Sequence, residues 1–204
     1  MTAAERLAEL ADIQGAWRRE GRSLGRGPWA EVADVVWVQV GQHFCDVRHP
    51  PPGADPGHAL DAAQAFSGTL RLSGGAAVFE HDLDSLGRDA GQLDHSTLTL
   101  AGGTMMERGD GFEERWSPAV APGAAGACIE RRDGRSSAVT ARIVRAGRVV
   151  VGVWGGAHPG GCVIGEGDDM KATGRVDTDV AAAARALAAG AELPQGWVAR
   201  DRWT

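Results

Sequence analysis

Short runs of alternating apolar and polar residues across residues 32–106 constrain the fold more than any other feature of this sequence. Turn-forming residues interrupt these runs, as at Gly41, residues 50–53 and residues 73–75. Alternation places successive side chains on opposite faces of a strand, and regular turn signals between strands are typical of an antiparallel sheet or barrel. A barrel of about eight strands has room for one small ligand, so the pattern raises the question of a ligand without answering it.

Charge and cysteine content narrow the class of protein. The 204 residues carry a net charge of −6, which disfavours a nucleic-acid or anionic-membrane partner because both require a basic surface. We find no apolar run that could span a bilayer and no apolar core of a signal peptide, so we expect a cytoplasmic protein. The 3 cysteines are widely spaced and favour reduced thiols over a disulfide framework. No metal-ligand spacing or phosphate-binding loop is present, and we expect neither metal nor cofactor.

The chain as a whole predicts a mainly β, antiparallel barrel of about nine or ten strands, with residues 1–204 forming one domain. The capping-box spacing of Thr2 and Glu5 predicts a short N-terminal helix that ends near Gly15. A second helix is predicted over Thr178–Ala189, with Gly190 ending it. Residues 149–153 are apolar on both faces, which suits a buried strand or an edge covered by a partner, and this leaves a homodimer open.

Several motifs in the first half of the chain are similar to those of a known family. They lie at residues 15–19 (GAWRR), 36–39 (VWVQ), 44–50 (FCDVRHP), 65–68 (AFSG), 89–91 (DAG), 107–109 (ERG) and 114–116 (ERW). This set resembles a group of lipocalin-like, calycin-type bacterial proteins over roughly residues 13–117. The resemblance implies a β-barrel with an internal pocket. It implies no particular reaction, since related barrels bind haem, fatty acids or pigments and some catalyse cyclisations without a cofactor.

The strand region at residues 32–48 supplies the first candidate ligand contacts. Trp37 and Gln39 share a face with His43, whereas Asp46 and Arg48 occupy the opposite register after a bend at Gly41. Arg48 could orient a carboxylate of a ligand, because a guanidinium binds carboxylates with two parallel hydrogen bonds. The alternative is that Asp46 and Arg48 form a structural ion pair at the end of the strand.

Two glutamates are the strongest candidates for acid–base chemistry. Glu114 and Trp116 are two residues apart in a predicted strand and so project to one face. A carboxyl group beside an indole in an apolar cavity has a raised pKa and can act as an acid. Glu107 follows two methionines in an apolar run and is a second candidate. The alternative is that both glutamates pair with Arg108 or Arg115 across the hairpin.

Two histidines complete the candidate set. His81 lies between Glu80 and Asp82, and a histidine near a carboxylate can act as a general base, although neighbours in a strand point to opposite faces. His158 lies in a glycine-rich loop and is the axial ligand to consider if the barrel holds haem, the alternative being a loop histidine without a role. The sequence favours no metal or haem.

The predicted cavity is lined by Trp37, Gln39, Phe79, Glu107, Glu114 and Trp116. We expect it to bind a small organic molecule of mixed polarity. A second hypothesis is a cofactor-independent isomerase, cyclase or lyase of specialised metabolism that uses Glu114, Glu107 and His81. A third hypothesis is a barrel that is filled by its own side chains and binds a partner instead.

Overall fold

A computed structural model of the chain describes residues 4–31, 33–50, 64–87, 91–121, 123–155, 159–167, 169–175 and 177–204. A short 3-10 turn covers Leu10–Ile13, and one α-helix, α1, covers Thr178–Ala189. The strands are β1 (Arg6–Leu7), β2 (Gly15–Leu24), β3 (Asp34–Val40), β4 (His43–His49), β5 (Gln64–Ser73), β6 (Ala76–Asp84), β7 (Leu93–Ala101), β8 (Thr104–Gly109), β9 (Phe112–Pro118), β10 (Gly126–Arg132), β11 (Val139–Ala146), β12 (Val149–Trp154), β13 (Gly161–Glu166), β14 (Asp169–Gly174) and β15 (Trp197–Trp203).

Strands β2 to β9 form a closed antiparallel barrel. Each strand pairs with the next along the chain, and β9 returns to pair with β2, from Trp17 opposite Pro118 to Leu24 opposite Phe112. The two-residue strand β1 pairs with β7 beyond the end of β6. Because the sheet closes on itself, none of its strands is an edge strand with a full row of unpaired backbone N–H and C=O groups.

The alternation seen in the sequence separates the two faces of the barrel wall. Trp37 points into the barrel, whereas Val36, Val38 and Val40 point out of it into a second apolar core. Because the outward face of β3 and β4 is also apolar, it has to be covered by another layer to leave water.

That layer is a second sheet, formed by β10 to β15 in the order β14-β13-β12-β11-β10-β15. One of its faces packs on the barrel through residues such as Val144 and Val151, and the other packs on α1. The closed barrel thus comprises residues 15–118, and the expectation that residues 1–204 form one domain stays a prediction. Alternation shows that a segment is a strand, but it does not show which sheet the strand joins.

A buried ion network joins the barrel to the second sheet. Arg142 on β11 donates from Nε to Glu130 Oε1 at 3.0 Å and from Nη2 to Asp82 on the barrel strand β6. His43, on the barrel strand β4, lies 2.8 Å from Asp201 on β15. Glu130 and Arg142 are almost completely buried. The contact between the two layers is therefore polar at its centre as well as apolar.

The expected elements at the two ends of the chain have different outcomes. The C-terminal helix is confirmed: Asp177 accepts from the backbone N–H groups of Asp179 and Val180, and Gly190 ends the helix at φ 66°. The N-terminal helix is wrong, because Arg6–Leu7 pairs with β7 and is followed by the 3-10 turn, where Glu9 N–H donates to Asp12. The strand count is also corrected, because the barrel has eight strands rather than about nine or ten, and the described residues form fifteen strands in the two sheets together.

Strand β12, whose apolar character left a homodimer open, is internal to the second sheet and pairs with β11 and β13. It therefore needs no partner chain to cover it, and the homodimer stays a prediction without this argument. No helix in the described part of the chain has the length and apolarity to cross a bilayer.

Candidate functional site

The interior of the barrel is divided along its axis. One end is filled by apolar side chains, among them Ile13, Leu70 and Met105. The other end holds a cavity of about 510 Å³, which opens to solvent beside the exposed residues Leu93 and Asp94. The barrel is thus neither fully hollow nor fully filled, and the cavity lies at the end where β4 finishes and β5 begins.

Aromatic rings form the buried wall of this cavity. Trp37 packs edge-to-face on Phe79 and on Trp116, with ring centroids 5.6 Å apart in both pairs. Phe44 packs on Phe79 in the same way at 5.4 Å. The edge-to-face arrangement is favourable and restricts rotation of each ring. The indole N–H of Trp116 is buried and has no hydrogen-bond partner, so it is a donor that the folded chain leaves unused.

Glu114 and Trp116 both face the cavity, as their spacing on β9 predicts. Arg19 Nη1 donates to Glu114 Oε1 at 2.7 Å, and Arg22 Nε lies 3.3 Å from the same oxygen. Burial raises the pKa of Glu114, and the charges of the neighbouring arginines oppose that shift. Glu114 is consequently an anchored carboxyl group in the wall of the cavity.

Glu107 lies directly opposite Glu114 on the neighbouring strand β8 and also lines the cavity. Burial, followed by the charge of Glu114, raises the pKa of Glu107 to about 8, and Ser96 and Arg48 only partly offset this. A carboxyl group with this pKa is mostly protonated at neutral pH and can donate a hydrogen bond or a proton.

The alternative pairing of these glutamates with the flanking arginines is not what the structure shows. Arg108 pairs with Glu5 and Glu113, and Arg115 pairs with Glu20, all on the outer face of the barrel. Each arginine directly follows one of the two glutamates in the sequence. Because successive residues of a strand point to opposite faces, the glutamates point inward and the arginines point outward.

Asp46 and Arg48 also line the cavity and form an ion pair, with 2.9 Å between Arg48 Nε and Asp46 Oδ1. The guanidinium of Arg48 lies over the ring of Phe66 at 4.8 Å. Asp46 is opposite Trp37 in the ladder, so both share the inward face, and the expected opposite register is corrected. The reason is a turn at Gly41, with φ 56°, which begins a new strand where the sequence suggested a bend.

The same turn places His43 on the outer face, against the second sheet rather than beside Trp37. Gln39 faces inward but does not line the cavity. Its Oε1 accepts from the indole N–H of Trp37 at 3.3 Å, and its Nε2 donates to the Gly41 carbonyl oxygen at 2.9 Å. Gln39 therefore holds the Trp37 ring in place.

His81 is buried in the cavity wall and stacks on Phe66 at 4.7 Å. Its Nε2 lies 3.1 Å from Asp94 Oδ2. The sequence neighbours of His81 do not contact it, since Glu80 pairs with Arg71 and Asp82 pairs with Arg142. Asp94, on the next strand, is the carboxylate that approaches it.

Of the nine residues that the sequence predicted to be catalytic or to contact the ligand, eight line one cavity, and Gln39 does not. The eight are Trp37, Asp46, Arg48, Phe79, His81, Glu107, Glu114 and Trp116. Sequence reasoning missed Phe44, Phe66 and Arg19. Recognising the turn at Gly41 would have placed Phe44 inward, and the alternation of Trp17 with Arg19 on β2 was a signal for the arginine.

The described residues can be compared with the ligand sets of metal ions and haem. The part of the chain that the structure describes holds no cluster of three or more His, Cys, Asp or Glu side chains suited to a metal ion. Cys45, Cys128 and Cys162 are buried and unpaired. The candidate haem ligand His158 lies outside the described residues.

Comparisons with known proteins support the fold alone. No protein-family model matches the chain, and no curated protein matches it. Among solved structures, the uncharacterized protein YLR301w from Saccharomyces cerevisiae is similar, with a TM-score of 0.56 and 12% sequence identity over 80% of this chain and 85% of that one. The similarity is one of architecture, because 12% identity is too low to carry over a role.

Proposed function

We propose that this protein binds a small organic molecule of mixed polarity in the barrel cavity. The observation that carries the proposal is the cavity of about 510 Å³, which is lined by both packed aromatic rings and ionisable side chains. Sites for small molecules have volumes of roughly 300–1,000 Å³ and combine an apolar wall with a few polar groups. The unused indole N–H of Trp116 adds a donor for an acceptor atom of the ligand.

We also propose a family and a cellular location for this protein. Membership of the lipocalin-like group is supported by the order of the eight barrel strands, each paired with the next in the chain. A cytoplasmic location is supported by three buried, unpaired cysteines, because reduced thiols are typical of that compartment.

A neutral fluorescent probe, N-phenyl-1-naphthylamine, tests the proposal. We expect its fluorescence to rise on titration with the protein and to saturate at one probe per chain. Ser96→Phe is designed to block the cavity, because Ser96 lines it, whereas Thr97→Phe places the same ring on the exposed face of the same strand. We expect the first variant to lose probe binding and the second to keep it, with circular dichroism confirming that both are folded.

Two results would count against this function. Absence of probe binding to the folded wild-type protein would mean that the cavity does not admit a small molecule. Equal binding by the two phenylalanine variants would mean that the probe binds elsewhere. Native mass spectrometry of freshly purified protein would then identify any retained compound and its chemical class.

A second candidate function is a cofactor-independent isomerase, cyclase or lyase. It is favoured by one observation, the raised pKa of Glu107, which leaves a protonated carboxyl group inside the cavity near neutral pH. Glu107 would donate a proton to the bound molecule, and the buried imidazole of His81 or the carboxylate of Glu114 would accept another, so that the proton count balances.

Deuterium exchange separates this candidate from simple binding. A compound retained by the protein would be incubated with it in D₂O and examined by mass spectrometry. An enzyme of this class would introduce deuterium into the compound, and Glu107→Gln would stop the exchange while keeping the compound bound. Retention without exchange would leave binding as the function.

A further inference from the structure

We propose that the cavity takes an organic cation, an amine or quaternary ammonium group attached to an aromatic or otherwise apolar body. This inference rests on the proposed function, because it specifies the chemical class of the molecule bound in the same cavity. Two independent features of the lining carry it, which are an excess of carboxyl groups over basic groups and the aromatic rings that lie among them.

The lining contains two arginines, and both are already matched by carboxylates. Arg48 donates to Asp46 at 2.9 Å, and Arg22 Nε lies 3.3 Å from Glu114 Oε1. Glu114 is in addition held by Arg19. An anionic ligand would therefore have to displace Asp46 from Arg48 and would approach Arg22 beside the carboxylate of Glu114, which makes anion binding unfavourable here.

Three further carboxylates of the lining have no such partner. Among the described residues, Asp84 accepts from two neutral groups, the Leu86 N–H at 2.7 Å and Gln64 Nε2 at 3.4 Å. Asp94 accepts from Gln92 and also lies 3.1 Å from His81 Nε2, and Asp110 is exposed at the rim. In the described part of the chain, neither arginine nor lysine pairs with any of the three. The cavity is consequently a site of negative potential, which attracts cations.

The aromatic rings provide the second half of the recognition. The face of an aromatic ring attracts a cation within about 6 Å, more strongly where water is excluded. The chain's own cations already use two rings of the lining in this way, since Arg22 lies over Phe112 at 5.1 Å and Arg48 over Phe66 at 4.8 Å. The more deeply buried rings, Trp37 and Trp116, carry no cation of the described chain.

Because of Glu107, the inference predicts how the affinity for the cation changes with pH. A bound cation favours the ionised form of a nearby carboxyl group, so it lowers the pKa of Glu107 from about 8 and releases a proton. By linkage, the affinity for the cation rises as the pH increases from the pKa of the complex to that of the free protein, and is constant above both. A neutral ligand shows no such rise. The other ionisable groups of the lining that surround Glu107 are Asp46, Arg48, His81, His95 and Glu114, and all of them stay in place in the variants used below, so the contribution of Glu107 is separated from theirs.

The test compares three naphthalene compounds of similar size, 2-naphthylmethyl-trimethylammonium, 2-naphthylmethanol and 2-naphthoate, by titration calorimetry on the full chain. We expect the cation to bind at least about tenfold more tightly than the alcohol, and the carboxylate to bind most weakly. Between about pH 6.5 and about pH 9 the affinity for the cation should rise about tenfold, the equivalent of lowering one pKa by one unit, while that for the alcohol stays constant.

Glu107→Gln and Glu80→Gln form the matched pair of variants. Glutamine replaces a carboxyl group that is mostly protonated in the folded protein, so we expect the first variant to fold and to bind the cation with an affinity that no longer changes with pH. Glu80 lies on the outer face of β6, paired with Arg71, and its variant should keep the wild-type pH dependence. Titration in two buffers of different ionisation enthalpy should show proton release only where Glu107 is present.

The outcomes separate this inference from the proposed function. Binding of the alcohol or the carboxylate as tightly as the cation overturns the cation inference and leaves small-molecule binding intact. A pH dependence that survives Glu107→Gln overturns the role given to Glu107. If none of the three compounds binds the folded protein and N-phenyl-1-naphthylamine does not bind either, the proposed function itself is wrong.

Discussion

Two buried glutamates in this protein have opposite pKa shifts. Glu107 lies in the barrel cavity, and Glu130 lies on β10 of the second sheet, in the ion network that joins this sheet to the barrel. Burial would raise the pKa of Glu130, but Arg142, Arg132 and Arg200 outweigh burial and lower that pKa to about 2. The shortest contacts to Arg132 and Arg200 are 2.8 and 2.7 Å. Glu107 has no such ring of cations, and its pKa is raised to about 8.

The comparison shows that burial alone does not decide the charge of a carboxyl group. Where the chain surrounds a carboxylate with guanidinium groups, as at Glu130, the charge is satisfied within the fold and joins two layers. Where the chain leaves a carboxyl group without them, as at Glu107, the group stays neutral near pH 7 and is free to respond to a ligand. We therefore interpret the Glu130 cluster as structural and the cavity as the functional region.

The largest expected effect comes from breaking the structural cluster. Glu130→Gln leaves Arg142 buried with only Asp82 as an anionic partner, and we expect it to lower the free energy of unfolding by about 3–5 kcal/mol at neutral pH. Urea denaturation measures this. The stabilising effect of Glu130 is present above its ordinary pKa of 4.5 and is lost as the pH falls towards about 2, so the variant and the wild type should converge in acid.

A loss below about 1 kcal/mol at neutral pH would contradict the structural interpretation, because a cluster that tolerates removal of its central charge is not holding two layers together. Arg132→Gln is the control, because it removes one half-exposed cation of the same cluster. We expect it to lower the free energy of unfolding by less than Glu130→Gln does.

The second prediction is an increase in the free energy of unfolding, caused by replacing Glu107. Glu107→Gln should stabilise the protein at about pH 9 by on the order of 3 kcal/mol and leave it unchanged at about pH 4. The folded-state pKa of Glu107 is raised, so its favourable contribution is complete below 4.5 and is lost as the pH rises through about 8, whereas glutamine does not titrate. Thermal unfolding at several pH values measures the difference. A variant that is less stable than the wild type at pH 9 would show that Glu107 is paired after all.

A smaller effect is expected from Phe66, which is stacked on His81 and lies beneath Arg48. Phe66→Leu keeps an apolar side chain but removes both ring contacts, and we expect the free energy of unfolding to fall by about 1 kcal/mol. Urea denaturation at neutral pH checks this value. Because Arg48 and His81 already contact this ring, the same variant should weaken cation and alcohol binding to a similar extent in the calorimetric comparison, and a selective loss for the cation would mean that the ligand cation contacts Phe66 rather than Trp37 and Trp116.

The smallest effect is expected from an exposed ion pair. Arg71 and Glu80 lie 3.4 Å apart on the outer face of the barrel, where Arg71 is exposed and Glu80 is partly exposed. Glu80→Ala should change the free energy of unfolding by less than about 0.5 kcal/mol, since water and salt screen such pairs. A change as large as that of Glu130→Gln would remove the contrast between paired surface charges and the buried cluster.

Much of the candidate site was predictable from local pattern. The two-residue spacing of Glu114 and Trp116 predicts a shared face, and both line the cavity. The position of His43 was not predictable in this way, because the turn at Gly41 changes which residues of the next strand face inward. The charge state of Glu107 was open as well, since Arg108 follows it directly in the sequence but points to the other face of the strand.

The sequence by itself determined that this is an antiparallel β protein, where its C-terminal helix begins and ends, and which side chains alternate between the two faces. These are local properties, set by the period of two along a strand and by capping residues within a few positions. Only the tertiary structure decided that eight strands close into a barrel, that six others cover its outer face, and that one glutamate is surrounded by arginines while another is not. Those outcomes depend on contacts between residues far apart in the chain, about which the spacing of neighbours carries no information.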